Sequence, residues 1–224
     1  MRNSVRSVWT EFNEPIEARL DFMYLDIKGL VTTGLGNLID ATSLAHPHTP
    51  TAAERTKSHQ LAQRLAWRTK VGDAAATPAQ IAAEWDQIKA RLGQASHGGA
   101  SFRNFATLRL PDEEIDRLAF EKLTEMEGAL KQRTPFVSFD SFPADAQLGL
   151  LSMSWAMGPA FNFPKFQGSV AAGDWATAAT RCRFNPDIGG VSLRNDRDQR
   201  LFKNAAAVVT KHLNPDELIW PAVA

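Results

Sequence analysis

The chain has 224 residues, 44% of them apolar and 22% charged, which is enough for one domain with a sizeable core or two small lobes and excludes general disorder. Its 25 Lys and Arg offset 25 Asp and Glu, so net charge gives no drive toward nucleic acid or anionic membranes. Cys182, the single cysteine, excludes an intrachain disulfide and reads as a small buried hydrophobe.

Residues 1–9 lack the apolar stretch of a signal peptide, and no segment has the long apolar run of a transmembrane helix. A chain made in the cytoplasm would then need some other export route to a target outside it. Asn13-Glu14-Pro15 predicts a helix start, with a capping side chain, an early acid and a proline in the first turn. Ile16, Leu20 and Met23 would form its apolar face. The pattern changes at Tyr24. Asp26-Ile27-Lys28-Gly29 is a turn signal, Leu30-Val31-Thr32-Thr33 is β-prone, and Gly34 and Gly36 punctuate the next few positions, so a short hairpin is expected.

Residues 41–58 read as a loop entering a helix near Ala52, and Leu61, Leu65 and Trp67 extend a helical segment. Thr77-Pro78 starts a helix whose stripe is Ile81, Trp85 and Ile88. Gly98-Gly99 breaks the chain. A helix after Pro111 carries Ile115, Leu118, Leu123, Met126 and Leu130. The most apolar helix spans 143–157, followed by a short one at 174–182 and a last one at 197–212. The sum is a mainly α (α+β) chain with one small N-terminal β hairpin and no internal repeat. It divides into a hairpin region at 13–40, an enlarged helical region at 41–130 and a C-terminal helical lobe at 131–224, within a single domain of 1–224.

Glycoside hydrolysis uses two carboxyl groups: one protonates the leaving oxygen, and the other stabilises positive charge or activates water. Glu17 on the first helix and Asp26 on the hairpin turn can face one another across a cleft, and the Thr32 hydroxyl can hold a water. Each residue also has a plain structural reading. A Glu beside an apolar face is usually solvated, and an Asp in a turn usually serves the turn. Gly34 and Gly36 are not a phosphate-binding fingerprint, because the glycine spacing and the βαβ unit are missing. His46 and His48 have no ligand set at metal-binding spacing. No Gly-x-Ser-x-Gly elbow supports a serine nucleophile, and Cys182 carries no signature of a catalytic thiol.

The segment Glu17-Ala18, Tyr24-Leu25-Asp26, Gly29-Leu30-Val31-Thr32-Thr33-Gly34-Leu35-Gly36-Asn37-Leu38 resembles the catalytic stretch of the T-even phage lysozyme and endolysin family. Its pattern is Glu-Gly, Tyr-x-Asp and Gly-x-x-Thr-x-Gly-x-Gly-His-Leu, and the spacing from Glu to Asp to Thr matches without a gap. Ala18 stands where the family has Gly, and Asn37 where it has His. Residues 147–158, 174–179 and 194–197 resemble later helices of the family, while 41–105 match poorly.

The resemblance implies a lysozyme-like fold with two lobes around a cleft and a muramidase needing no cofactor or metal. Glu17 would be the general acid, with Asp26 and Thr32 on the water side. Tyr24, Gly36, Asn37, Trp155, Met157 and Arg194 would contribute to substrate binding, Arg194 by meeting Glu17. The implied partners are peptidoglycan strands, reached in the periplasm or host wall by holin release or by type VI secretion. An effector of that kind would have an immunity protein; nucleic acid and a membrane span are not expected. The alternatives are a non-catalytic peptidoglycan-binding module on the same fold and a helical interaction protein.

Overall fold

The first helix ends where the sequence placed a start. In the computed structural model, which describes residues 1–185 and 189–222, α1 is Asn3–Asn13. Val5, Trp9 and Phe12 form its apolar stripe and are fully buried. Asn13 is therefore the last residue of a helix and not a cap for the next. Pro15, two residues past the end, stops the helix instead of opening one. The residues expected to continue a helix form strand β1, Leu20–Leu25. Leu20 faces Gly34 and Tyr24 faces Thr32 on the neighbouring strand, so four steps along β1 match two along its partner. This irregularity buries Phe22 and Met23 together and breaks the alternation by which strands are recognised. It leaves Leu20 and Met23 at a spacing that looks helical.

The chain is mainly helical with a small antiparallel sheet. It falls into two compact units: residues 17–120, and residues 1–16 together with 121–224. This differs from the three consecutive regions expected, because α1 joins the C-terminal part. Helix α4, Asp112–Lys131, is divided between the units at Phe120 and Glu121.

In the unit of residues 17–120, β1 pairs with β2 (Val31–Gly34), which pairs with β3 (Asn37–Leu38), all antiparallel. Helix α2 is Ala52–Gln63 and α3 is Pro78–Lys89. Both open on a capping box, Thr51 with Glu54 and Thr77 with Gln80, which satisfies end amides of the first turn. The stripe expected on α3 is buried: Ile81, Trp85 and Ile88. Leu65 and Trp67 are buried too, but they lie beyond the end of α2. A second sheet, β4 (Arg68–Thr69) with β5 (Leu108–Arg109), was not expected. Buried Glu84 on α3 holds it: Oε2 accepts from the amides of Thr107 (2.7 Å) and Leu108 (2.9 Å). Two 3₁₀ turns, Leu92–His97 and Gly99–Phe102, flank the Gly98-Gly99 break and pack on β1.

The other unit is built around α5, Ala144–Met157, whose residues 144–155 are all buried, as its apolar sequence requires. The remaining helices are α6 (Pro164–Ala171), α7 (Trp175–Arg181) and α8 (Gly189–Thr210). Gly149 lets the Phe202 ring of α8 close on α5, since a Cβ there would lie 2.8 Å from Phe202 Cζ. Helix α8 begins at Gly189 and not near Arg197. Its early buried face is Arg194, Asn195 and Asp198, polar side chains that a hydrophobic-stripe reading does not register.

Candidate active site

Glu17 is half-buried on the bend between α1 and β1, not on a helix as expected. Two residues later, Arg19 anchors this segment to the start of α4, with Asp116 at 2.7 Å and Asp112 at 3.2 Å. Asp112 is exposed and Asp116 half-buried at the surface, so each pair contributes at most about 1 kcal/mol, but together they direct the chain as it enters β1.

Asp26 makes the turn after β1. Its Oδ1 accepts from the amides of Lys28 and Leu30, each at 2.9 Å. Its own N–H donates to the Leu30 carbonyl at 2.9 Å, and its carbonyl accepts from the Gly29 amide at 2.9 Å. The plain reading of an Asp as a turn residue is thus realised. The same bonds fix the carboxylate's rotation and leave Oδ2 outside the turn. Gly29 sits at φ +79°, and a Cβ on it would lie 2.8 Å from His48 Nδ1, so both conformation and close approach require glycine. Thr32, buried on β2, donates its hydroxyl to the Leu30 carbonyl at 3.2 Å. That spends its one donor and leaves lone pairs that can accept a hydrogen from water.

Tyr24 sits opposite Thr32 across the β1–β2 pair. Tyr24 is half-buried, and burial of its phenol pushes its pKa well above the ordinary value. The negative charges of Glu17 and then of Asp26 push in the same direction, and the Gly36 amide donates to the phenol oxygen and opposes them. Both carboxylates are therefore near enough to one phenol for their charges to act on it. Asn37 is half-buried on β3, paired with Thr33.

Glycine at position 99 is the residue that spacing did not reveal. It lies against Tyr24: a Cβ there would come within 2.6 Å of Leu20 Cδ1 and 2.7 Å of Tyr24 Cδ2. Gly99→Ala is expected to force both side chains to shift, with a loss of about 1–3 kcal/mol in urea unfolding and a displaced Tyr24 titration. Unchanged values for both would remove Gly99 as a constraint on the phenol.

The remaining expected residues belong to the other unit. Trp155 is buried, with Trp9 at 5.1 Å between ring centroids and Lys122 Nζ 4.1 Å from its ring centroid. Those contacts make it core packing and not an open platform for a sugar ring. Met157 is half-buried at the end of α5. Arg194 is 2% exposed: Nη1 donates to the Ser152 carbonyl at 3.1 Å and hydroxyl at 3.0 Å, and Nη2 to Asn13 Oδ1 at 3.4 Å. It ties α8 to α5 and to the end of α1, the work of an interior residue. His46 pairs with Glu54 through Nε2 at 3.0 Å, and no cluster of three metal-ligating side chains occurs among the described residues.

No protein-family model matches the sequence, and no curated protein matches it.

Proposed function

We propose that the chain is a muramidase that hydrolyses the β-1,4 bond between N-acetylmuramic acid and N-acetylglucosamine in peptidoglycan. What supports this reading is the geometry of one turn: Asp26 and Thr32 are both bonded to the Leu30 peptide groups, Tyr24 pairs opposite Thr32, and Glu17 lies on the bend just before β1 in the same unit. Glycoside hydrolysis uses a pair of carboxyl groups, and Glu17 and Asp26 are the pair this unit offers. Glu17 gives its proton to the leaving glycosidic oxygen. Asp26 Oδ2, the oxygen not used by the turn, takes a proton from the attacking water, whose oxygen bonds to the anomeric carbon as the glycosidic bond breaks. The Thr32 hydroxyl oxygen accepts a hydrogen bond from the water's other O–H, which stays on the product. Tyr24, Gly36 and Asn37 contact the sugar. The reaction needs no cofactor or metal.

The substrate lies outside the cytoplasm, so the reading includes delivery by a holin pore or a secretion system. In the second case an immunity protein encoded nearby would be the partner. No helix among the described residues is long and apolar enough to cross a membrane.

A second reading, a peptidoglycan-binding module without catalysis, is favoured by the use of Asp26 Oδ1 and the Thr32 donor in holding the turn. Incubation with purified sacculi separates the two. Hydrolysis releases muropeptides with new reducing ends, whereas a binding module sediments with sacculi and leaves the glycan intact.

A further inference from the structure

We propose that Lys89, through its buried ion pair with Asp40, is a positioning residue that holds Asp26 and Thr32 in register for the reaction; the catalytic consequence rests on the muramidase reading. Leu30 is the link between the pair and the two side chains. Its carbonyl accepts from the Asp26 amide and from the Thr32 hydroxyl, and its amide donates to Asp26 Oδ1. Together with the Lys28 amide, which also donates to Asp26 Oδ1, the two peptide groups of this one residue set the orientation of both side chains.

The groups on either side of Leu30 are gripped by the ion pair. Lys89 Nζ donates to the Gly29 carbonyl at 2.8 Å, to Asp40 Oδ2 at 2.7 Å and to the Pro47 carbonyl at 2.6 Å. Asp40 Oδ2 also accepts from the Val31 amide at 2.9 Å. A displacement of the ammonium or the carboxylate would tilt the Leu30 peptides, and Asp26 and Thr32 with them.

The pair is built to stay in place. The side chain of Lys89 is 5% exposed and that of Asp40 is not exposed at all. All three ammonium hydrogens have acceptors. Asp40 Oδ1 is held by the Thr42 amide at 2.8 Å, by the Thr42 hydroxyl, and by the Ser58 hydroxyl at 3.4 Å. Lys89 ends α3, so the packed stripe of that helix anchors the ammonium. A buried pair costs desolvation and is weak support for stability in itself. Here its geometry is spent on a turn that carries a reacting carboxylate, where a displacement of about 1 Å can cost a hundredfold in rate.

The experiment compares wild type with Lys89→Met, which keeps the aliphatic stem and leaves Asp40 its other donors. Lys89→Met together with Asp40→Asn removes both charges, in case the single variant fails to fold. Two readouts are taken: kinetics on solubilised glycan strands, and amide hydrogen exchange by residue. The expected result is a kcat lower by tenfold or more with KM within twofold. Exchange at Asp26, Leu30 and Val31 should be at least tenfold faster, with Trp85 and Ile88 unchanged. A merely structural role would raise exchange evenly across α3 and the sheet and leave the kcat of the folded fraction intact, which overturns the proposal. So does unaltered exchange at Asp26 and Leu30 in a folded variant. If wild type cleaves no glycan, the muramidase reading and the catalytic consequence fall together, and the exchange profile still decides whether Lys89 holds the turn.

Discussion

Glu17→Gln is expected to lower glycan cleavage by about 10²- to 10⁴-fold, the range set by loss of a positioned proton donor. The amide has the shape of the carboxyl group but carries no transferable proton. The same variant has a readout that does not depend on activity. Tyr24 is the only tyrosine in the chain, so the alkaline absorbance change of tyrosinate reports this residue alone. Its pKa is raised first by burial, then by the charge of Glu17, then by that of Asp26. Removing Glu17's charge should move the titration down toward the ordinary tyrosine value of about 10, and Asp26→Asn should move it down by less. Full cleavage by Glu17→Gln would take Glu17 out of the mechanism. A Tyr24 titration that ignores both substitutions would break the spatial grouping from which the mechanism was drawn.

The parts of the candidate site that the sequence offers for reading are those that lie close together along it. Glu17, Asp26 and Thr32 are separated by short fixed intervals, and the turn residues between them state their own geometry. Helix α3 was equally legible, because Thr77, Pro78 and Gln80 mark its start and Ile81, Trp85 and Ile88 its buried face. Helix α1 carried an apolar stripe as clear as that of α3, but Asn13 and Pro15 imitate a helix opening and drew the boundary to the wrong side. The irregular pairing of β1 hid a strand behind helical spacing. Lys89 and Asp40 could not be found in this way. Along the chain Lys89 is an ordinary basic residue in a last helical turn, and its meeting with Asp40 and Gly29 depends on folding across 49 and 60 positions. Gly99 reads as a breaker, and its contact with Tyr24 exists only in three dimensions. The interior of the other unit was obscured for a different reason. Arg194 and Asp198 are charged residues in the core, where patterning expects apolar ones.

Asp198→Asn is expected to stabilise the protein at pH 8 by an amount on the order of a few kcal/mol and to change it far less at pH 4. Asp198 is fully buried, and neither carboxylate oxygen has a hydrogen-bond partner of good geometry among the described residues. Burial raises its pKa from 3.8 to about 7, against the opposing pull of Arg194, the Ser152 hydroxyl and Arg197. The folded state therefore binds this proton more tightly than the unfolded chain does. The resulting stabilisation is complete below about pH 4 and is lost as pH rises through about 7. A shift of about three units at roughly 1.4 kcal/mol each sets an upper bound of about 4 kcal/mol. Asparagine stays neutral throughout and escapes the loss. Urea unfolding of both proteins at pH 4, 6 and 8 should give a stability difference that widens with pH; a difference independent of pH would mean that Asp198 does not titrate in this window. Cys182 supplies a second probe. Its thiol is pushed up to about 12, first by burial and then by the negative charge of Asp198. Cys182 is buried, so thiol labelling at pH 8 proceeds through opening of the fold and is expected to slow in the Asn variant; labelling as fast as in wild type would mean that charging Asp198 does not promote opening.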